Sequence, residues 1–232
     1  MKRIFIDPGH GGADPGATGN GLKEKDLTLS LGLLLEENMK NYDCEVKLSR
    51  RKDRFLGLYS RAKAANDWNA GLFFSIHING HNNASANGYE DFVHPDAPQI
   101  TFDRQVFIHR HISKIWTGAN RADRGMKVAN FQVLRETQMS AILVENGFIT
   151  NQFDAALLEG EGFQRQLARA MAQGIAEAMG LGEKKPDVTI EQLEKEKNEL
   201  LNTLEDVRLV LLGVSEKIKN VQRQINKTPS QM

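Results

Sequence analysis

Leu72-Phe73-Phe74-Ser75-Ile76-His77-Ile78-Asn79 is the stretch from which the fold is read. Its first part, Leu72 to Ile76, is a continuous apolar run broken only by Ser75. Such a run predicts a strand covered on both faces, the setting of a central strand in a parallel sheet. Towards the N-terminus come a predicted helix over Leu58–Trp68, a strand over Glu45–Ser49, a helix over Asp26–Asn41 and a strand over Arg3–Asp7. In the helix over Asp26–Asn41, Leu27, Leu31, Leu34, Leu35 and Met39 recur at helical spacing, and Asp26 is expected to be its N-cap. Glycines and a proline from Pro8 to Gly21 predict a loop. Towards the C-terminus, Tyr89–His94 alternates like a strand and Gln99–Trp116 reads as a helix. Asn130–Leu134 and Ala141–Glu145 read as strands, and Glu161–Met179 reads as a closing helix stopped by Gly180 and Gly182. Strands alternating with helices predict an α/β domain built on a mainly parallel sheet, spanning residues 1–181.

The remainder has a different pattern. Residues 182–189 read as a linker marked by Lys184-Lys185-Pro186. Over 190–226 the apolar residues Ile190, Leu193, Leu200, Leu204, Val207, Leu211, Val214, Ile218, Val221 and Ile225 fall at alternating steps of three and four, with Lys197 as the one break. That heptad pattern predicts a coiled-coil-like helical tail and a homo-oligomer built through it. β-branched residues at both seam positions near the end lean away from a simple dimer. Two other arrangements stay open: a single amphipathic helix lying back on the main domain, and a helical hairpin turned at Gly213. Residues 227–232 are expected to be disordered.

Composition narrows the function classes. The 30 basic and 30 acidic side chains cancel, so nothing draws the chain as a whole to nucleic acid, and no basic stripe stands out. The single cysteine, Cys44, rules out a disulfide within the chain and a four-cysteine zinc site, and it is expected to be a buried apolar residue. No stretch approaches the roughly 20 apolar residues of a membrane span. The chain opens on a short β-like run with no secretory signal, so it is expected to be cytoplasmic as synthesised.

Candidate chemistry sits on three segments. His10 lies in Asp7-Pro8-Gly9-His10-Gly11-Gly12, directly after a strand. Glu24 precedes the first helix. His77 ends the buried strand quoted above. Sites in open α/β sheets gather at the C-terminal ends of strands, where His10 and His77 both arrive. Two histidines and a carboxylate form a catalytic zinc set that leaves a position for water. A structural, hydrogen-bonding role is the competing reading for each histidine. Glu145, in Ile142-Leu143-Val144-Glu145-Asn146-Gly147-Phe148, ends another buried strand; a carboxylate there is costly unless paired or functional. It is either a proton-transfer group beside the metal or the partner of an arginine such as Arg61 or Arg135. His81 reads as a substrate-side or solvated loop residue, His109 and His111 as surface residues of a helix, and His94 carries no clear pattern.

These segments belong to a longer series. It runs through Ile6-Asp7-Pro8-Gly9-His10-Gly11-Gly12, Asp14-Pro15-Gly16-Ala17, Glu24-Lys25-Asp26, Ser49-Arg50, Asp53, Leu58, Arg61, Ala65-Asn66, Ser75-Ile76-His77-Ile78-Asn79, Gly88 and Glu90. It continues through Arg124-Gly125, Val133-Leu134-Arg135, Val144-Glu145-Asn146-Gly147-Phe148-Ile149 and Asn151. In this series the chain resembles the type 3 family of N-acetylmuramoyl-L-alanine amidases, found among bacterial cell-wall enzymes and phage endolysins, over about residues 2 to 180. The resemblance implies a single twisted sheet flanked by helices, Zn²⁺ as cofactor, His10, Glu24 and His77 as its ligands, and Glu145 as the catalytic glutamate. It implies peptidoglycan as substrate and, as the bond cut, the amide joining N-acetylmuramic acid to L-alanine. Ser140-Ala141 stand where the family often has proline, and Ser49 where it often has threonine; neither touches the chemistry. Asn79 and His81 are expected on the substrate side. Two other readings are a zinc peptidase acting on wall peptides and a non-catalytic wall-binding module. The missing signal leans towards a phage lysin released through a membrane pore, and the tail matches no known wall-binding repeat.

Overall fold

The structure is a computed structural model in which residues 1–184 form one compact unit and residues 185–232 a second. It describes residues 1–184 and, beyond them, residues 194–195, 197–201, 203–205, 207–208, 211, 214 and 218. In chain order the elements are β1 (Lys2–Pro8), β2 (Thr18–Gly19), β3 (Leu22–Lys23), α1 (Glu24–Met39), β4 (Cys44–Leu48), α2 (Leu58–Asp67) and β5 (Leu72–Asn79). They continue with β6 (Tyr89–Val93), α3 (Gln99–Gly118), β7 (Asp123–Val128), α4 (Gln132–Arg135), β8 (Ser140–Phe148), α5 (Gln152–Glu159) and α6 (Glu161–Met179).

Six strands form one sheet in the order β4-β1-β5-β8-β6-β7. The pairs β1–β4, β1–β5 and β5–β8 are parallel. β6 runs antiparallel to β8 and parallel to β7. The quoted stretch is therefore a central strand, and the sheet is mostly parallel as its sequence predicts. Alternate residues of the strands feed opposite faces. Ile4, Ile6, Phe74, Ile76, Ile142 and Val144 pack under α1, α3 and α6 with Leu31, Ile112 and Met171. Phe5, Phe73, Ala141 and Leu143 pack on the other face against Ala65, Val133 and Leu134 of α2 and α4. Gly174 lets α6 lie close on α3, since a Cβ there would stand 2.9 Å from the Cα of Ile108. Gly180 takes the left-handed conformation (φ 56°) that ends α6. Cys44 is buried.

Three local expectations are corrected. Asp26 is not the N-cap of α1: the helix starts at Glu24, after an extended Lys23 that gives no side-chain cap, and Asp26 lies in its first turn. The strand predicted over Asn130–Leu134 is instead β7 at Asp123–Val128, followed by the one-turn helix α4. The charged, glycine-containing Asp123-Arg124-Gly125-Met126-Lys127-Val128 hides its alternation because β7 is an edge strand with little burial. His109 is not a surface residue; it is buried between α3 and β7.

Beyond residue 184, the described residues from 194 to 218 are helical. Among them Leu200, Leu204, Val207, Leu211, Val214 and Ile218 are exposed, each at heptad spacing. Ile190, Leu193, Gly213, Val221, Ile225, the linker beyond residue 184 and the end at 227–232 lie outside the described residues. No helix among the described residues is long and apolar enough to cross a membrane.

Candidate metal centre and active site

Parallel pairing in register brings the key loops together. Asp7 lies opposite Ser75 and Pro8 opposite Ile76, so β1 and β5 reach the same sheet edge. His10 follows the end of β1, and His77 lies near the end of β5. Gly9 donates its N–H to Ile76 O at 2.9 Å, and a Cβ at Gly9 would lie 2.5 Å from the His77 ring. Only glycine lets the loop pass so close to the imidazole. Glu24 is the first residue of α1, and its N–H is held by Ala17 O at 2.9 Å. Gly16 provides the second close approach: a Cβ there would lie 2.5 Å from Glu24 Oε2 and 2.7 Å from the His10 ring.

One ligand atom each from His10, Glu24 and His77 falls within 4.8 Å of the others. Glu24 Oε1 lies 3.1 Å from His10 Nε2 and 3.0 Å from His77 Nδ1. The same oxygen accepts from Ile78 N at 3.0 Å, and Oε2 accepts from Ala17 N at 2.7 Å. His10 Nδ1 lies 2.8 Å from Asp14 Oδ2, so with Nδ1 protonated it donates to Asp14, which fixes the tautomer. In the neutral ring Nε2 then turns a lone pair towards a carboxylate oxygen. Two acceptors so close call either for a second proton on the imidazole or for a cation among them. Burial works against a charged His10, but the hydrogen bonds and charges of Glu24 and Asp14 outweigh it and raise its pKa. Burial alone would raise Glu24, yet His10 and His77 hold it far below the usual carboxylate range. The donor set and its crowding by two glycines therefore fit a Zn²⁺ ion.

His10 sits in the left-handed region at φ 59°, uncommon for a side chain larger than glycine. Two buried arginines hold the loop in that shape. Arg61 donates to Pro8 O at 2.7 Å and His10 O at 2.6 Å, and pairs with the buried Asp7 at 2.7 Å. Arg50 donates to Pro8 O at 3.0 Å and Gly9 O at 2.8 Å. Burial pushes Asp7 up, but Arg61 and Ser49 together outweigh it and leave the carboxyl below its ordinary value.

Glu145 stands opposite His77 across β5 and β8. Its Oε2 is buried with no hydrogen-bond partner among the described residues. The two arginines considered as its partners are engaged elsewhere, Arg61 with Asp7 and Arg135 with Asn130 and Glu136. Burial, reinforced by the charges of Glu24 and Glu90, raises its pKa well above the carboxylate norm. A partly buried carboxylate with one unpaired oxygen therefore lies beside the His10, Glu24 and His77 cluster.

With this geometry in place, comparison with known proteins gives a family. The family model described as N-acetylmuramoyl-L-alanine amidase matches residues 4–177. The chain belongs to that family. The amidase is 46% identical over 183 residues to the sporulation-specific N-acetylmuramoyl-L-alanine amidase of Bacillus subtilis, covering 78% of this chain and 69% of the relative. It is 40% identical over 186 residues to an endolysin of Bacillus phage SPP1, covering 79% of this chain and 68% of that protein. Its fold matches the catalytic domain of CwlV, an N-acetylmuramoyl-L-alanine amidase of Paenibacillus polymyxa, with a TM-score of 0.74 and 34% identity, covering 78% of this chain and all of the other. The chain is thus a hydrolase acting on an amide bond.

Two further residues of the amidase were expected on the substrate side. Asn79 ends β5, two residues after His77: its Nδ2 donates to Glu90 Oε1 at 2.7 Å and its Oδ1 accepts from Gly80 N at 3.0 Å. His81 is exposed in a loop and accepts from Asn83 N at 2.9 Å. Sequence reasoning gave no role to Asp14, Arg50 or Glu90, and offered Arg61 only as a partner of Glu145, whereas it pairs with Asp7. Asp14 had a visible signal, four residues after His10 in the same glycine-rich loop; the arginine contacts join segments about 40 to 50 residues apart and have no local signature.

Proposed function

We propose that this amidase hydrolyses the bond between N-acetylmuramic acid and L-alanine in peptidoglycan, with Zn²⁺ held by His10, Glu24 and His77 and with Glu145 as the catalytic acid–base. The observation that carries this reading is the convergence of two imidazoles and a carboxylate beside a second carboxylate left without a partner. A zinc ion in such a set polarises a carbonyl and acidifies water. His10, Glu24 and His77 fix the ion, and Asp14 sets the His10 ring. Glu145 takes the proton of the attacking water and returns it to the departing amine nitrogen, so no covalent intermediate is required. Cys44 lies at the start of β4, the far edge of the sheet, and plays no part.

Asn79 and His81 contact the sugar–peptide substrate in this proposal. Residues 1–181 are the catalytic domain, 182–189 a linker and 190–226 a tail that oligomerises the enzyme or targets it to the wall. Seven-residue repetition of exposed apolar side chains on the described tail positions supports self-association. The likeness to a phage endolysin supports a lysin, which in this proposal reaches the wall through a membrane pore.

Purified peptidoglycan digested with and without a chelator tests the reaction. The expected products are muramic acid freed from intact stem peptide, with activity lost to the chelator and restored by zinc. New amino termini inside the peptide would make the protein a peptidase, and no cleavage at all would make it a binder.

A further inference from the structure

A row of side chains runs from the proposed ligand His77 across four neighbouring strands. His77 on β5 is opposite Glu145 on β8, and Glu145 is opposite Glu90 on β6. Glu90 in turn meets Arg124 and Lys127 from β7. Arg124 Nε donates to Glu90 Oε2 at 2.8 Å, and Lys127 Nζ pairs with the same oxygen. Glu90 is nearly buried, while Arg124 and Lys127 are 34% and 37% exposed. One carboxylate therefore faces two cations, and one positive charge remains uncompensated within the group. The two Nη atoms of Arg124 make no hydrogen bond among the described residues, although the guanidinium is held by Glu90 through Nε and by the Phe148 ring, 4.8 Å below it. The result is a fixed, half-exposed fork with free donors, the geometry that receives a carboxylate.

Distance says where on the substrate that carboxylate lies. Adjacent strands are about 4.8 Å apart, so Glu90 is about 10 Å along the sheet from His77. An extended peptide covers about 3.3–3.6 Å per residue, so the same reach spans two to three residues. We propose that Arg124, assisted by Lys127, binds a free carboxylate of the stem peptide within three residues of the bond that is cut. The amidase would thus prefer stems in which that carboxylate is free over stems in which it is amidated. This rests on the amidase reading above. Glu90 is the positioning residue: it aims the guanidinium and ties it through Asn79 to the edge that carries His77.

Two muramoyl tripeptides, both amidated at the C-terminus and differing only in amidation of the side carboxylates, provide the test, with kcat/KM measured on each. The wild-type enzyme is expected to favour the free acid by roughly ten- to hundredfold, the range of one charge-assisted hydrogen bond. Arg124→Gln should bring that ratio close to one, mainly through KM for the free acid, and Arg124→Lys should recover part of it. Bound zinc and the circular dichroism spectrum of each variant report whether it has folded. Equal wild-type rates on the two substrates overturn the proposal, as does a folded Arg124→Gln enzyme that keeps the wild-type ratio. Failure of the wild type to free muramic acid from either substrate overturns the amidase reading instead, so the two failures remain distinct.

Discussion

Two clusters in this molecule are built from the same residue types and end in opposite conditions. At one end of the sheet His10, His77, Glu24 and Glu145 gather; between α3 and β7 sit His109, Asp91 and Asp123. In the second cluster the demands of Asp91 and His109 are met. His109 Nδ1 lies 2.7 Å from Asp91 Oδ2, and Nε2 lies 3.1 Å from Asp123 Oδ1. Tyr89 Oη donates to Asp91 at 2.7 Å and Gln105 Nε2 at 2.8 Å. In the first cluster acceptors face one another, and Glu145 Oε2 has no partner. Histidine beside carboxylate is therefore not what marks a site. The difference here is an unpartnered carboxylate oxygen beside acceptors that face one another, because leaving them so costs stability that packing elsewhere must offset.

The largest effects are expected from Glu145 and His77 of the open cluster. Glu145→Ala should keep stoichiometric zinc while turnover falls by about 10²–10⁴-fold, the usual weight of a general acid–base. His77→Ala should lose the metal and the activity together. Metal analysis alongside the wall-digestion rate separates the two. Full activity in Glu145→Ala removes the proposed base, and stoichiometric zinc in His77→Ala refutes the ligand set.

A smaller effect is expected from Asp14→Ala, which leaves all three ligands in place. Asp14 binds His10 Nδ1 and is 42% exposed, so its loss frees the ring to change tautomer and tilt. Partners of this kind are worth about 10–100-fold in metal affinity. Competition with a chromophoric chelator reads that loss directly. Unchanged zinc affinity would show that the loop, held by Arg50 and Arg61, orients His10 unaided.

How far each cluster can be read from sequence follows from its construction. The open site draws on segments with strong local signatures: a buried apolar strand ending in His77, a glycine loop around His10 and a second buried strand ending in Glu145. The resemblance then joined them into one ligand set. The sheet was legible for the same reason, since its central strands are apolar on both faces. β7 escaped because an edge strand carrying Arg124, Gly125 and Lys127 has no apolar run to betray it. The closed cluster escaped with it, for His109 looks exposed until β7 supplies Asp123. The start of α1 was misplaced because the chain enters it from a short hairpin, where Ala17 O rather than a side chain receives the Glu24 N–H.

The closed cluster should respond in stability and not in chemistry, and its response should depend on pH. Burial lowers the tendency of His109 to charge, but Asp91 and Asp123 outweigh it and lift its folded pKa above the ordinary 6.5. A raised folded value means that the charged imidazole contributes fully below the unfolded pKa, and that the contribution fades as pH rises through the folded one. His109→Gln keeps a hydrogen-bonding side chain but no charge. Denaturant titration should show it destabilised by about 1.5–3 kcal/mol at pH 6, the range for a hydrogen bond to a charged group. The deficit should shrink as the solution becomes alkaline, while zinc stays bound. A deficit that grows with pH would mean that His109 is neutral when folded. Loss of zinc in this variant would mean that the two clusters are coupled through β6, and the division between them would fall.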